Sequence, residues 1–205
     1  MSFKRKVVTS EKKSSHRNKT DSALDKKVAD IHQDLIDACK ANSSKAQCEI
    51  YKLYYKAMYN TSIRILNNAA DAEDVMQESF LDAFRKIDQY SGSGSFGGWL
   101  KRIVVNKSLD ALKRAKDTSY IEEFEIDVAE SREEIVYEED ITNSTEKIKS
   151  AVKILPDEYR IVLSLFLFEG YDHEEISSIL KISNASSRTK YSRAKSKLLK
   201  ILSPN

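Results

Sequence analysis

Apolar residues recur every three or four positions through most of the chain, the spacing of amphipathic helices. Val28, Ile31, Leu35 and Ile36 form one stripe. Ala46, Ile50, Leu53, Tyr54, Ala57 and Met58 form a second, with a polar break at residues 42–44 between them. Tyr51, Tyr54, Tyr55 and Tyr59 are expected on core or half-buried faces. A further break at 67–70 precedes a helix for which Asp71 is the expected N-cap, with Asp74 three residues on to suit the positive end of the helix dipole. Its core face is Val75, Met76, Phe80, Ala83, Phe84 and Ile87. Phe96, Trp99, Leu100, Ile103, Val104, Leu109 and Leu112 carry the period onward. Near the end, Ile148, Val152 and Leu155 predict a short helix, and Pro156 suits the first turn of the next. Gly170 is placed to close that second helix. Asp172 and Glu175 stand in capping-box register for a third, and Ser183 can cap a last one over about 184–201. The pattern predicts an all-α fold.

Charge divides this string of helices into blocks. Residues 1–27 hold nine Lys/Arg against three acids, residues 117–140 hold eleven acids against Arg132 alone, and from Lys181 onward there are seven Lys/Arg and no acid. The net charge of +2 hides this segregation, which points to a polyanion partner and a solvated spacer. We expect a disordered basic tail over 1–23, a helical domain over 24–116, an acidic linker over 117–145, extended by self-repulsion, and a second small helical domain over 146–205.

Candidate chemistry concentrates in two basic helices. Four of the five glycines lie between Gly92 and Gly98, where backbone freedom or a close backbone approach is needed. The helix that follows places Lys101, Arg102, Asn106, Lys107, Lys113 and Arg114 between its apolar positions, and cations and amides hold phosphates and read base edges. The stretch from Asp172 to Leu199 has the form of a helix-turn-helix. In that arrangement the start of the second helix enters the major groove, here with Ser186, Ser187, Arg188, Lys190 and Tyr191. Arg188 can bond two guanine acceptors at once; Arg193, Lys195 and Lys197 suit phosphates. Asp74, Gln77, Glu78 and Asp82 form an acidic, polar face, either solvated or a dock for a basic protein surface.

Other classes find no support. Cys39 and Cys48 do not have zinc-ligand spacing and read as idle thiols in a reducing compartment. His16, His32 and His173 sit alone, and no nucleotide-phosphate loop, metal set or activated nucleophile stands out, so neither catalytic residues nor a cofactor are expected. No segment reaches the ~18 apolar residues of a membrane span, and the basic N-terminus lacks the apolar run of a secretory signal, so a cytoplasmic protein without membrane insertion is expected.

Three runs together, DAEDVMQESFLDAFRKI, then F-x-x-W-L-x-R-I-x-x-N-x-x-x-D from Phe96 to Asp110, then LPDEYRIVLSLFLFEGYDHEEISSILKISNASSRTKYSRAKSKL, resemble a bacterial RNA polymerase sigma factor of the small extracytoplasmic-function class. The resemblance covers roughly 30–116 and 146–202. It implies two helical domains and a flexible linker, with core RNA polymerase and promoter DNA as partners. An anti-sigma factor is a further candidate partner. By position, Asp74, Gln77 and Glu78 match the helix that docks on the polymerase. Tyr90, Ser91, Gly92 and Ser93 match the loop that captures a flipped base of the downstream promoter element. Asn106 matches a position against that element's unpaired strand, with Lys101, Arg102, Lys107, Lys113 and Arg114 on its backbone. Residues from Ser186 to Arg193 match the recognition helix for the upstream element. Departures are Ala185, where glycine is common, and the additional loop glycines Gly92 and Gly94. The rival readings are a helix-turn-helix repressor or activator acting on duplex DNA without the polymerase, and an adaptor that binds no DNA.

Overall fold

The computed structural model describes residues 32–92, 94–122 and 142–203, and all regular structure among them is helical. Helix α1 covers 32–40, followed by α2 (Ser44–Leu66), α3 (Ala69–Arg85), a 3-10 turn (Ile87–Gln89) and α4 (Phe96–Glu122). The second group is α5 (Thr142–Ile154), α6 (Asp157–Leu167), α7 (His173–Leu180) and α8 (Asn184–Leu202). The basic tail, Val28 and Ile31, His16, Ser93 and residues 123–141 lie outside the described residues. The acidic stretch is helical where it is described: α4 runs to Glu122 and α5 starts at Thr142, with no glycine or proline there to stop either helix.

Local sequence explains most helix ends. Ser43 caps α2, its hydroxyl accepting from the Ala46 N–H, and Asn67 ends that helix at φ 57°. The expected cap of α3 is corrected: Asn68, not Asp71, accepts from the Ala70 and Asp71 N–H groups. Ala69 and Ala70 are strong helix formers, so the helix begins three residues earlier and leaves Asp71 in its first turn, where its charge still suits the dipole. The Asp172–Glu175 capping box forms as expected, and the Ser183 hydroxyl accepts from the Ser186 N–H to start α8. Gly170, at φ +78°, turns the chain after α6 so that the Tyr171 N–H bonds the Leu165 carbonyl.

Helices α1 to α4 pack around Ile36, Ile50, Met58, Phe80, Leu100 and Val104, all 3 % exposed or less. Helices α5, α6 and α8 close around Val152, Leu155, Leu163, Ala194 and Leu198. A third cluster joins the two groups: Ile65 of α2 and Val105 of α4 bury against Ile161, Val162 and Leu165 of α6 and Ile176 of α7. The two helical domains expected from the pattern are present, and they share a core.

Candidate nucleic-acid and polymerase interface

Helix α4 carries most of the expected contacts with the downstream element, and the fold sorts them. Leu100, Val104, Val105 and Ser108 are fully buried, which turns Arg102, Asn106 and Lys113 outward as one exposed stripe at spacings of four and seven. Arg114 is exposed beside it. Two cations expected there are engaged elsewhere. Lys107 lies 3.1 Å from Asp82 and 3.3 Å from Glu78 on α3. Lys101 donates to the Glu169 backbone carbonyl at 3.1 Å and lies 3.4 Å from its carboxylate. Burial alone would lower the Lys107 ammonium, but hydrogen bonds to Asp82 and Glu78 outweigh it and hold the pKa above the usual lysine value. The Lys107 hydrogen bond holds Asp82 below the ordinary carboxylate range.

The loop before α4 is built on Tyr90. Its ring is 8 % exposed and packs edge-on against Phe96, with Trp99 5.7 Å away, and its hydroxyl donates to the Gly94 carbonyl at 2.6 Å. Burial raises the Tyr90 phenol. Tyr90 therefore shapes the loop from beneath, whereas Ser91 and Gly92 are exposed. Gly92 and Gly94 have φ of +76° and +112°. Gly97 answers a different need: a Cβ there would stand 2.9 Å from the Tyr54 ring. Trp99 is half-buried among Tyr90, Phe96 and the rest of this core, as its helical neighbours indicate. A cavity of about 870 Å³ opens beside the loop, lined by His32, Tyr54, Met58, Tyr90, Gly94 and Lys101 among others. His32 is not alone: its Nδ1 is 2.5 Å from the Tyr54 hydroxyl.

On α3, Asp74, Gln77 and Glu78 are all exposed, opposite the buried Val75, Met76, Ser79 and Phe80. Gln77 donates to Glu73 at 3.3 Å, a contact within the same surface.

Helix α8, the expected recognition helix, presents a narrower face than its sequence suggests. Arg188, Arg193 and Lys195 are exposed, and the Arg188 Nε donates to Asn184 Oδ1 at 2.8 Å. Ser187, expected as a groove contact, is fully buried, its hydroxyl 2.9 Å from His173 Nδ1. Tyr191, also expected in the groove, packs with its ring 4.4 Å from Phe166 and 5.5 Å from His173. Ser187 is corrected to a packing role, and the half-buried Tyr191 shares its face: the side of α8 toward α6 and α7 takes positions 187, 191, 194 and 198, a stripe at helical spacing. Ser186 is half-buried and its N–H is used by the cap. Lys190 pairs with Glu158, whose carboxyl is held low chiefly by that bond. His173, stacked on Phe166, is likewise not alone.

Sequence reasoning missed the seam between the domains. Glu169 has a side chain 2 % exposed and accepts from Thr61 Oγ1 at 2.9 Å and from Arg64 Nη2 at 2.6 Å. Arg160, 3 % exposed, donates to the Ile65 carbonyl at 2.9 Å and to the Arg64 carbonyl at 3.3 Å, groups left open at the C-terminal end of α2. Lys116 pairs with Asp157 at 2.8 Å. No signal in the sequence links these residues, which lie up to 108 positions apart. Among the described residues there is no group of His, Cys, Asp and Glu able to hold a metal, and no helix long and apolar enough to cross a membrane.

The family description "Sigma-70 region 2" matches residues 50–118, and "Sigma-70, region 4" matches residues 145–198. ECF RNA polymerase sigma factor SigW of Bacillus subtilis (strain 168) is 29 % identical, the alignment covering 82 % of this chain and 94 % of that protein. RNA polymerase sigma-H factor of Pseudomonas aeruginosa is 27 % identical over 84 % of this chain and 94 % of its own length. ECF RNA polymerase sigma-E factor of Escherichia coli (strain K12) is 30 % identical over 62 % of this chain and 71 % of its own. Among solved structures, the sigma factor RpoE in complex with the anti-sigma factor NepR from Bartonella quintana aligns with a TM-score of 0.55 at 18 % identity, over 75 % of this chain and 94 % of that one. CnrH in complex with the cytosolic domain of CnrY aligns with a TM-score of 0.51 at 21 % identity, over 82 % and 94 %. These two likenesses establish the helical fold.

Proposed function

The chain belongs to the sigma-70 family of bacterial RNA polymerase sigma factors, in its extracytoplasmic-function class, and from that premise we infer how its own surfaces share the work of transcription initiation. It binds core RNA polymerase, recognises promoter DNA and promotes strand opening. An anti-sigma factor is a further partner in this reading. We assign polymerase docking to the exposed Asp74, Gln77 and Glu78 of α3. The downstream element falls to Ser91 to Ser93 with Arg102, Asn106, Lys113 and Arg114, and the upstream element to Arg188, Arg193 and Lys195. Residues 24–116 and 146–205 act as the two working domains, and the acidic 117–145 stretch ties them together. The protein catalyses no bond chemistry and works in the cytoplasm, where polymerase and promoter are.

One observation supports this division above the rest. On α4, residues 102, 106 and 113 form an exposed polar stripe directly after a glycine loop with an adjacent cavity. A flipped base costs a few kcal/mol to unstack, and a pocket beside the loop can offset that cost. Cations along the neighbouring helix hold the strand's phosphates at the same time. On the polymerase side the acidic face of α3 offers charge complementarity, which sets encounter rate and register more than raw affinity.

Run-off transcription with purified core polymerase tests the reading: promoter-dependent initiation is expected only when this protein is added. A duplex-binding repressor or activator would shift promoter DNA yet start no transcript.

A further inference from the structure

We propose that Thr61, Arg64 and Lys101 form an anion site on the N-terminal domain, masked by the chain's own Glu169, and that a phosphate of the promoter strand replaces Glu169 when the two domains part. This rests on the functional reading above and extends it to a site and a conformational step which that reading leaves open.

Thr61 and Arg64 donate to the Glu169 carboxylate, while Lys101 donates to the backbone carbonyl of the same residue at 3.1 Å with its charge near the carboxylate. Thr61 and Arg64 come from α2, Lys101 from α4, and Glu169 from the turn after α6. Glu169 Oε1 takes both Arg64 Nε at 3.0 Å and Nη2 at 2.6 Å, while Oε2 takes Thr61 at 2.9 Å and lies 3.4 Å from Lys101. A guanidinium, an ammonium and a hydroxyl gathered around one residue form a receptor for any tetrahedral or planar oxyanion, and arginine matches phosphate as well as carboxylate. In the closed form the receptor is filled from within.

The same contact closes the molecule. Around Glu169 the seam holds the shared apolar cluster and the Arg160 bonds to the end of α2. Buried charges hold only while partnered, because desolvation costs several kcal/mol per ion. A seam built on them is sensitive to any competing anion. The site also lies beside the loop cavity, since Lys101 lines both. A strand captured at the loop has its backbone within reach of Lys101, and taking that cation leaves Glu169 one donor short. Strand binding and domain separation are thereby coupled, each favouring the other by the same factor.

Two substitutions separate the parts of this proposal. Glu169→Gln removes the mask and keeps the cations; Arg64→Gln breaks the same seam and removes a cation. Paramagnetic labels at exposed Cys48 and at Lys200→Cys report the distance between the domains in the full chain, with helical content checked by circular dichroism. Both variants are expected to shift the distance distribution to longer values. The closed-to-open ratio should fall about tenfold or more, as for losing charge-assisted bonds. A single-stranded oligodeoxynucleotide should open the parent chain and bind Glu169→Gln more tightly than Arg64→Gln by a similar factor. Unchanged distances in both variants overturn the mask. Equal oligonucleotide affinity in the two opened variants overturns the phosphate site, as does a parent chain that an acidic peptide opens and the oligonucleotide does not. Failure of run-off transcription would strike the functional reading and leave the distance result standing.

Discussion

The ammonium of Lys107 on α4 rests 3.3 Å from the carboxylate of Glu78 on α3, joining a residue expected on promoter DNA to one expected on the polymerase. Asp82, 3.1 Å away, completes the bridge. The two proposed faces are therefore neighbours on one packed helical pair, and the charge that each presents depends on the other.

Lys107→Gln should lower stability by up to about 1 kcal/mol, since Glu78 is largely exposed and such pairs are screened. The loss should depend on pH in a defined way. Asp82 is held below its ordinary 3.8, so its contribution is complete above that value and fades as pH falls through the lowered pKa. Lys107 is held above 10.5, so its contribution is complete below that value and fades as pH rises through the raised one. Urea unfolding of both proteins from pH 2.5 to 7 checks this: the gap should be full at neutral pH and close in acid. A gap that persists unchanged at the acid end would contradict it.

Asn68→Ala should cost about 1 kcal/mol, because two N–H groups at the start of α3 lose their acceptor. Asp71→Ala should cost less, about 0.5 kcal/mol, through the dipole alone. Thermal melts of the two variants rank them, and the reverse order would restore Asp71 as the cap.

Recognition-helix residues should split by direction. Arg188→Ala should lose about 1–3 kcal/mol of discrimination between the upstream element and a mutated one. Lys195→Ala should weaken both sequences alike and reduce the salt slope by about 1. Ser187→Ala should leave base preference intact and cost about 1 kcal/mol of stability by orphaning His173 Nδ1. Promoter competition with holoenzyme, alongside melts, separates the three.

Gly97→Ala should cost about 1–3 kcal/mol, since its Cβ would meet the Tyr54 ring that His32 and Phe96 hold from other sides. In a Tyr54→Leu background the same change should be close to neutral, and a double-mutant cycle measures that coupling. Gly92→Ala meets open space, so its cost comes from the positive φ alone and should not respond to Tyr54.

Much of this was legible before any coordinates. The caps at Asp172 and Ser183, the turn at Gly170 and the core stripes follow from contacts three or four residues apart, which a linear pattern records directly. Asn68 escaped because Asp71 offers the same chemistry three positions later, and only the two alanines between them decide. Ser187 turns inward for another reason. A polar or amphipathic residue on a helix suits either a groove or a neighbour, and the packing of α6 and α7 makes the choice.

The chain's sequence by itself determined that it is helical, where several of its helices are capped, which stretches are cationic, and which family it belongs to. Local hydrogen bonding and hydrophobic period act over a few residues, so they are written in order along the chain. Tertiary structure alone decided which of those cations are offered and which are spent: Lys107 on Glu78 and Asp82, Lys190 on Glu158, Lys101 and Arg64 on Glu169. An ion pair forms wherever folding brings opposite charges within a few ångströms, and residues 29 or 105 positions apart carry no mark of that meeting.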